Sequence, residues 1–343
     1  LSDTTYKGGR LSKISKQSLR TASFQEGVLN KNSNEFLVDG LVDRGFYAHV
    51  KLDETMPEQE YIELPEIEDA DMPDVSNISV LDSTDESVTL KVEIYNPSQE
   101  KISKINIQYL TTELSDIEYK GNTTSLTVKA TKPEKYLSKY YVNSITLTSL
   151  SGVTYTRTYA ANERGFNVTL YKPISTVAEW KKIPSSTTEN YKLVSDLDFE
   201  NTSAAKINFY ATLDGQNHVI KNIKGYVFSG STSSNTVIKN LNIENTWGVV
   251  YSANQAEIDN VHVKNQNTTV LSSGDYGGIV TSASYAKIRN SSVTNLKIRT
   301  IDDADIGYIG GIVGSTTYTY VDNCYTQNID IDVTNAAKVY SIG

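Results

Sequence analysis

Apolar side chains occupy every second position through three stretches of the chain: Val88, Leu90, Val92 and Ile94; Ile105, Ile107 and Tyr109; and Leu126, Val128 and Ala130. A period of two places one face of a strand in a core and the other in water, so each stretch predicts a half-buried strand. Further runs of the same kind occur at "YYVNSITLTS" and "VTYTRTYA". The region 75–167 then holds about six or seven strands, which predicts an immunoglobulin-like β-sandwich that lacks the usual cysteine pair.

The pattern changes after residue 168. "TVAE" at 176–179 has the spacing of a capping box, in which the Thr hydroxyl caps the helix and the Glu reaches back. A short helix through "EWKKI" follows from it, with Val177, Trp180 and Ile183 on the side that covers a core. Strand-like runs separated by turn residues come next, and then a repeat. "GVVYSANQAEIDNV" from 248, "GIVTSASYAKIRNS" from 278 and "GIVGSTTYTYVDNC" from 311 share Gly first, Val third and an Asn twelve places after the Gly. Asn222, Asn240, Asn260, Asn290 and Asn323 each follow an Ile or Val by two, at intervals of 18, 20, 30 and 33.

Repeats of this size cannot bury an apolar face alone, and stacking them produces one continuous core. The expectation is a right-handed parallel β-helix, a solenoid with each Asn in a sharp corner that tolerates left-handed dihedrals. The Asn amides would bond from rung to rung. The Gly-to-Asn segment is the part that superimposes, and the variable remainder is expected to bulge outward as loops, with Asn265 in one of them. Phe228 stands where later rungs have Gly. Cys324 aligns with Leu241, Val261 and Ser291, which predicts an inward, inert thiol. The fold class is therefore all-β: 1–74 an N-terminal segment and acidic linker, 75–167 the sandwich, and 168–343 the β-helix, with a short capping helix between the two folded parts. The closing "YSIG" matches the start of another "YIGGIVG", so the chain is expected to end inside a repeat.

Charge narrows the partners. The net charge is −9, and residues 53–74 carry ten acidic side chains with no Lys or Arg, which leaves the remainder near +1. The acidity belongs to a Pro-punctuated spacer, and its carboxylates lack the ordered spacing of a calcium loop. A basic face for nucleic acid is missing. No run is apolar and long enough to insert into a membrane, and the first thirty residues lack the apolar core of a signal peptide. A single cysteine provides no intramolecular disulfide.

Catalytic chemistry is equally sparse. His49, His218 and His262 are far apart in sequence, whereas a zincin needs two His at helical spacing to share one metal face. No catalytic residue, metal ligand or cofactor site is read from this chain. Asp259 and Asp322 fall in one column of adjacent rungs, but Lys239 and Arg289 share that column, which predicts alternating surface charge rather than the paired carboxylates of a glycosidase. Recognition is placed on the two longest expected loops, about 265–276 and 299–308. They offer Tyr276 and Tyr308 with Asp302 and Asp303, and with Asp275 and Asp305 nearby: amphipathic rings and acceptors that suit a protein or glycan surface.

Rungs of the form "GGIVG…I.N" resemble the GLUG-type repeats of bacterial surface proteins. The order of "SVTLKVEIYNPSQEKISKINI", then "VTLYKPISTVAEWKKI", then repeats is similar to the region preceding the catalytic domain in the immunoglobulin A metalloproteases and related large zinc metalloproteases of streptococci. This resemblance covers about 75–343. It implies a secreted, cell-wall-associated zinc endopeptidase acting on host glycoproteins, in which this region is architectural and positions substrate beside a catalytic domain elsewhere in the chain. The zinc would lie in that domain, since H-E-x-x-H is missing here. Two other readings stay open: an adhesin with a β-helical stalk, and a carbohydrate-active β-helix enzyme.

Overall fold

A computed structural model describes residues 35–38, 48–51 and 73–342, apart from 98, 149–153, 271–273, 301–302 and 335. The rest of the N-terminal segment, most of the acidic linker, and Asp302 lie outside the described residues. Strands dominate, and the one helix among the described residues is four residues long. Contacts divide the chain into two compact units, Leu1–Glu134 with Lys139–Val168, and Lys135–Ser138 with Thr169–Gly343.

In the first unit, two antiparallel sheets form around the alternating positions. One runs Asp74–Ser83, Ser87–Tyr95, Thr123–Thr131, Thr111–Lys120 in spatial order. In the other, Lys139–Thr148 pairs with Lys101–Ile107, Thr154–Thr158 and Gly165–Asn167. Val88, Leu90, Val92 and Ile94 are fully buried, as are Leu126, Val128 and Ala130 across the ladder and Ile105 and Ile107 in the second sheet. Tyr109 departs from the expected alternation. It sits in a tight turn with φ of 64°, because the chain must reverse between Lys101–Ile107 and Thr111–Lys120 within three residues.

The second unit is built from parallel ladders. One series of strands, Thr212–Asp214, Val237–Glu244, Glu257–Lys264, Lys287–Arg289 and Tyr320–Asp322, pairs in sequence order. A second series, Tyr226–Ser231, Gly248–Asn254, Val280–Ser284 and Val313–Thr317, does the same. Each repeat thus adds one strand to each sheet, and inward residues stack in columns. Leu213, Ile238, Ile258 and Ile288 form one such column, every member fully buried.

The corners explain the spacing of the repeat. Asn240, Asn260, Asn290 and Asn323 have φ of 53°, 56°, 50° and 49°, the left-handed region that Asn tolerates better than other side-chain-bearing residues. Asn260 Nδ2 donates to Asn240 Oδ1 at 2.9 Å, and Asn323 Nδ2 to Asn290 Oδ1 at 2.7 Å. The glycine that opens each repeat answers to crowding: a Cβ on Gly278 would stand 2.3 Å from the Gly311 carbonyl and 2.8 Å from Val293. Phe228 pairs with Val250 rather than with Gly248, which faces Tyr226. The first rung is therefore shifted by two residues from the alignment expected from sequence.

Two further expectations are corrected. Asn222 belongs to a different corner from Asn240, because Lys221 pairs with Glu244 and so brings Asn222 beside Asn245. That second corner contains Asn222, Asn245, Asn265, Asn295 and Asn328, all with positive φ. Asn265 is one of its members and not part of an outward loop: Asn295 Nδ2 donates to Asn265 Oδ1 at 2.9 Å, and Asn328 Nδ2 to Asn295 Oδ1 at 3.0 Å. Nor are the variable segments loops throughout. Asn267–Val270 pairs with Ser292–Thr300, and Gly274–Gly277 with Ala304–Gly310 and through it with Ala336–Ile342. Backbone N–H and C=O groups left over by a longer rung need partners, and the neighbouring long rung supplies them.

The first rungs are closed by the helix α1 (Val177–Trp180). Thr176 Oγ1 accepts from the Glu179 N–H and Glu179 Oε2 accepts from the Thr176 N–H, completing the capping box. Trp180 is fully buried against Phe199 and Phe228, with Ile183 nearly so and Val177 half-buried on the same core. Phe228 stacks on Phe209 at 4.7 Å, so aromatic rings fill the first rungs where later ones use Val and Ile.

Trp180→Ala should lower unfolding stability by about 3–5 kcal/mol, the range for deleting a buried aromatic, measured by urea denaturation. For the second corner, stability should fall in the order wild type, Asn265→Gly, Asn265→Ala. Glycine loses the amide bond alone, about 0.5–1.5 kcal/mol, while alanine adds about 1–2 kcal/mol for the left-handed backbone. Equal stability of the two variants would mean that the corner does not impose this conformation.

Candidate functional site

The expected recognition flank falls on strands. Gly274–Gly277 and Ala304–Gly310 run parallel, with Tyr276 opposite Ile309. Asp275 Oδ1 accepts from the Tyr308 N–H at 3.0 Å, and it fills the space beside Gly307, where a Cβ would come within 2.2 Å of it. Asp275 is thus a bracket between rungs. Tyr276 is half-buried and packs on the core, whereas Tyr308 is exposed, with its ring 6.5 Å from that of Tyr340 on the next strand. Asp303 is exposed with φ of 59°, and Asp305 is exposed. The two tyrosines therefore face different environments, and the partner of Tyr308 is Tyr340.

The charged column follows the register read from the repeat. Asp214, Lys239, Asp259, Arg289 and Asp322 lie in successive rungs. Lys239 Nζ stands 3.5 Å from Asp214 Oδ2, and Arg289 pairs with Glu257. Asp259 and Asp322 are two rungs apart, roughly 10 Å at the ordinary strand spacing, with Arg289 between them. An arginine in the rung between them, itself paired with Glu257, makes this a column of alternating charge rather than a pair of facing carboxylates.

The histidines do not converge. Among the described residues no group of three or more His, Cys, Asp or Glu is placed to hold a metal ion. Of His49 only the backbone pairing with Leu37 is described. His218 Nδ1 lies 3.1 Å from Asp196 Oδ1, which also accepts from the Val219 N–H at 2.9 Å. These bonds, the backbone donor first, hold the Asp196 carboxyl below its ordinary range.

His262 makes the arrangement most like a catalytic one. Its Nδ1 is 2.8 Å from Ser292 Oγ and its Nε2 is 3.0 Å from Asn260 Oδ1, a hydroxyl and an amide on one imidazole that resemble a hydrolase triad but with the two ring nitrogens exchanged and no carboxylate. Ser292 is only 3% exposed, and it is held between His262 and Tyr325 by the strand register. No acyl group can approach its Oγ. The effect is structural. Because Asn260 Oδ1 accepts from the imidazole, Asn290 Nδ2 turns to Asp259 Oδ1 at 2.7 Å, and the first ladder is rerouted at this rung. Nε2 must carry the proton, which leaves Nδ1 to accept from Ser292. Burial first, and the Lys264 charge second, hold the His262 pKa below 6.5.

Cys324 occupies the place of Ser291 one rung earlier. Ser291 Oγ donates to the Arg289 carbonyl, and Cys324 Sγ approaches the Asp322 carbonyl at 3.2 Å. The thiol is half-buried rather than enclosed, and burial pushes its pKa up, away from a reactive thiolate. The second asparagine corner was missed by sequence reasoning although its signal was present. An Asn follows each first-corner Asn by five residues: 240 and 245, 260 and 265, 290 and 295, 323 and 328. No helix among the described residues is long and apolar enough to cross a membrane.

Comparison with known proteins adds one relationship. Over 136 residues, 36% of this chain, the sequence is 29% identical to the immunoglobulin A1 protease of Streptococcus sanguinis, and the match spans 7% of that protein. The similarity is distant and partial. No family model matches the chain, and no solved structure matches it.

Because the folded state holds His262 neutral, protonation favours the unfolded chain. The stability this group supports is complete above the unfolded pKa of about 6.5 and is lost as pH falls through the lower folded value. Unfolding free energy should therefore drop as pH falls below about 6.5, with a slope that His262→Gln reduces, the difference being read from denaturation curves at each pH. Parallel pH profiles for the two proteins would remove the imidazole from this linkage.

Proposed function

We propose that the chain is a non-catalytic, architectural and substrate-positioning region of a large secreted, cell-wall-associated zinc metalloendopeptidase that acts on host glycoproteins such as immunoglobulin A. In this reading the first unit is an immunoglobulin-like sandwich and the second a right-handed parallel β-helix with GLUG-type repeats. The observation that carries it is the similarity to the streptococcal immunoglobulin A1 protease. The stack of parallel rungs with amide-laced corners supports the architectural part. Zinc and the peptidase chemistry belong to a catalytic domain outside these residues, and the partners are that domain and the host glycoprotein. A stalk-forming adhesin is the second reading, favoured by the way each repeat adds a strand to both main parallel sheets and so extends the stack.

The purified chain should bind no stoichiometric zinc by elemental analysis and should release no fragments from immunoglobulin A. It should nonetheless retain immunoglobulin A on a surface, and in excess it should slow cleavage by the full-length protease. Retention without inhibition would favour the adhesin. A zinc ion held tightly by each chain would overturn the non-catalytic reading.

A further inference from the structure

The second asparagine corner lines a lateral groove of about 630 Å³ that spans three successive rungs. Asn265, Asn295 and Asn328 belong to its lining, stacked by the strand register, with Lys297 and Asp330 beside them. Lys297 pairs in the ladder with Asp330, so the two form one wall on adjacent rungs. The groove runs along the stack rather than into its end, since it takes the asparagine position from three rungs and the paired Lys297 and Asp330 from two of them.

Its chemistry is that of a neutral, hydroxyl-rich ligand. An Asn side chain offers two N–H donors and a carbonyl with two lone pairs. Within the ladder Asn295 uses one donor and one lone pair, on Asn265 and from Asn328. Asn295 therefore keeps one donor and one acceptor, and Asn265 and Asn328 at the ends of this ladder keep at least as many, repeated at the strand spacing of about 4.8 Å. A linear chain of hydroxyl groups lying along the groove meets both at every rung. The flanking charges cancel among themselves: Arg299 pairs with Asp330 at 2.5 Å and lies 3.9 Å from Asp332, while Lys297 stands near Asp330. Neither a polyanion nor a polycation is favoured, and Ile329 is the one apolar residue in the lining, too little for a lipid or an apolar peptide anchor.

We infer that this groove binds the neutral glycan chain of a glycoprotein. The inference rests on the substrate-positioning reading and names the chemical class recognised there. The test begins with free sugar, independent of any protease. The ¹⁵N-labelled 343-residue chain is titrated with a panel of neutral linear hexasaccharides. Shifts of the Asn265, Asn295 and Asn328 side-chain NH₂ signals are expected. Lys297 and Asp330 offer the same hydroxyls a further donor and acceptor from the wall, so the double variant Lys297→Met with Asp330→Ala should weaken binding about tenfold or more; the Arg299–Asp330 pair that it breaks is exposed, so the melting temperature should change little.

Absent shifts, shifts confined to other surfaces, or an unaltered affinity in the double variant would overturn the groove. A second arm separates this from the parent reading. Immunoglobulin A stripped of its glycans should be retained less well than the intact protein. Equal retention of both would sink the glycan inference while leaving substrate positioning intact. If free hexasaccharide binds at the groove and neither form of immunoglobulin A is retained, the groove stands and the substrate reading fails.

Discussion

Everything in the second unit depends on residues that hold a left-handed backbone at the corners while their N–H groups still reach the next rung. Asn245 donates its N–H to the Lys264 carbonyl, Asn265 to Thr294, and Asn290 to Asp322. A right-handed residue at any of these places would aim that N–H elsewhere and break the bond to the next rung. The side-chain ladder is a second consequence of the same constraint. Once the backbones superimpose, identical amides stand at hydrogen-bond distance from each other. A third corner obeys the rule without asparagine: Gln255, Tyr285 and Tyr318 have φ of 52°, 51° and 48°, and there a stacked tyrosine pair at 5.1 Å takes the place of the amides. The backbone demand is primary, and the side chain that meets it varies.

How much of this the sequence disclosed depends on whether the signal was periodic. The alternation at Val88 to Ile94 and the Ile-x-Asn spacing at 240, 260, 290 and 323 both report a geometric period, and both led to buried faces and to true corners. Tyr109 continued the period by chance, since nothing in its neighbours showed that a turn had already begun. Asn222 was misplaced because "VIKNI" at 219–223 and "VIKNL" at 237–241 are nearly the same string. Pairing, not similarity, decides register, and the residues that fix it are the bulges, such as the shift between Phe228 and Ser231. The variable segments were read as loops because their strands lack a partner within one rung. Their pairing exists only between long rungs, and a residue-by-residue reading does not test that.

The candidate site was legible only in part for the same reason. The repeat spacing puts Tyr276 and Tyr308 on adjacent loops, yet the strand register sends one toward the core and leaves the other to its neighbour Tyr340. The His262 arrangement was invisible because its members come from two rungs 30 residues apart. It shows how a familiar hydrogen-bond order can serve packing alone: the imidazole satisfies an asparagine oxygen and a buried hydroxyl at once.

The rungs also change in girth. Asn240 and Asn260 are 20 residues apart and Asn290 and Asn323 are 33 apart, yet the strands at each step pair at the same spacing of about 4.8 Å. The extra residues enter after the second corner and become strands that stack on each other. Added sequence therefore thickens the stack without lengthening it. Height is set by the number of asparagine corners and circumference by what lies between them, so the two can diverge independently. A descendant could acquire a broader flank while every existing rung keeps its level.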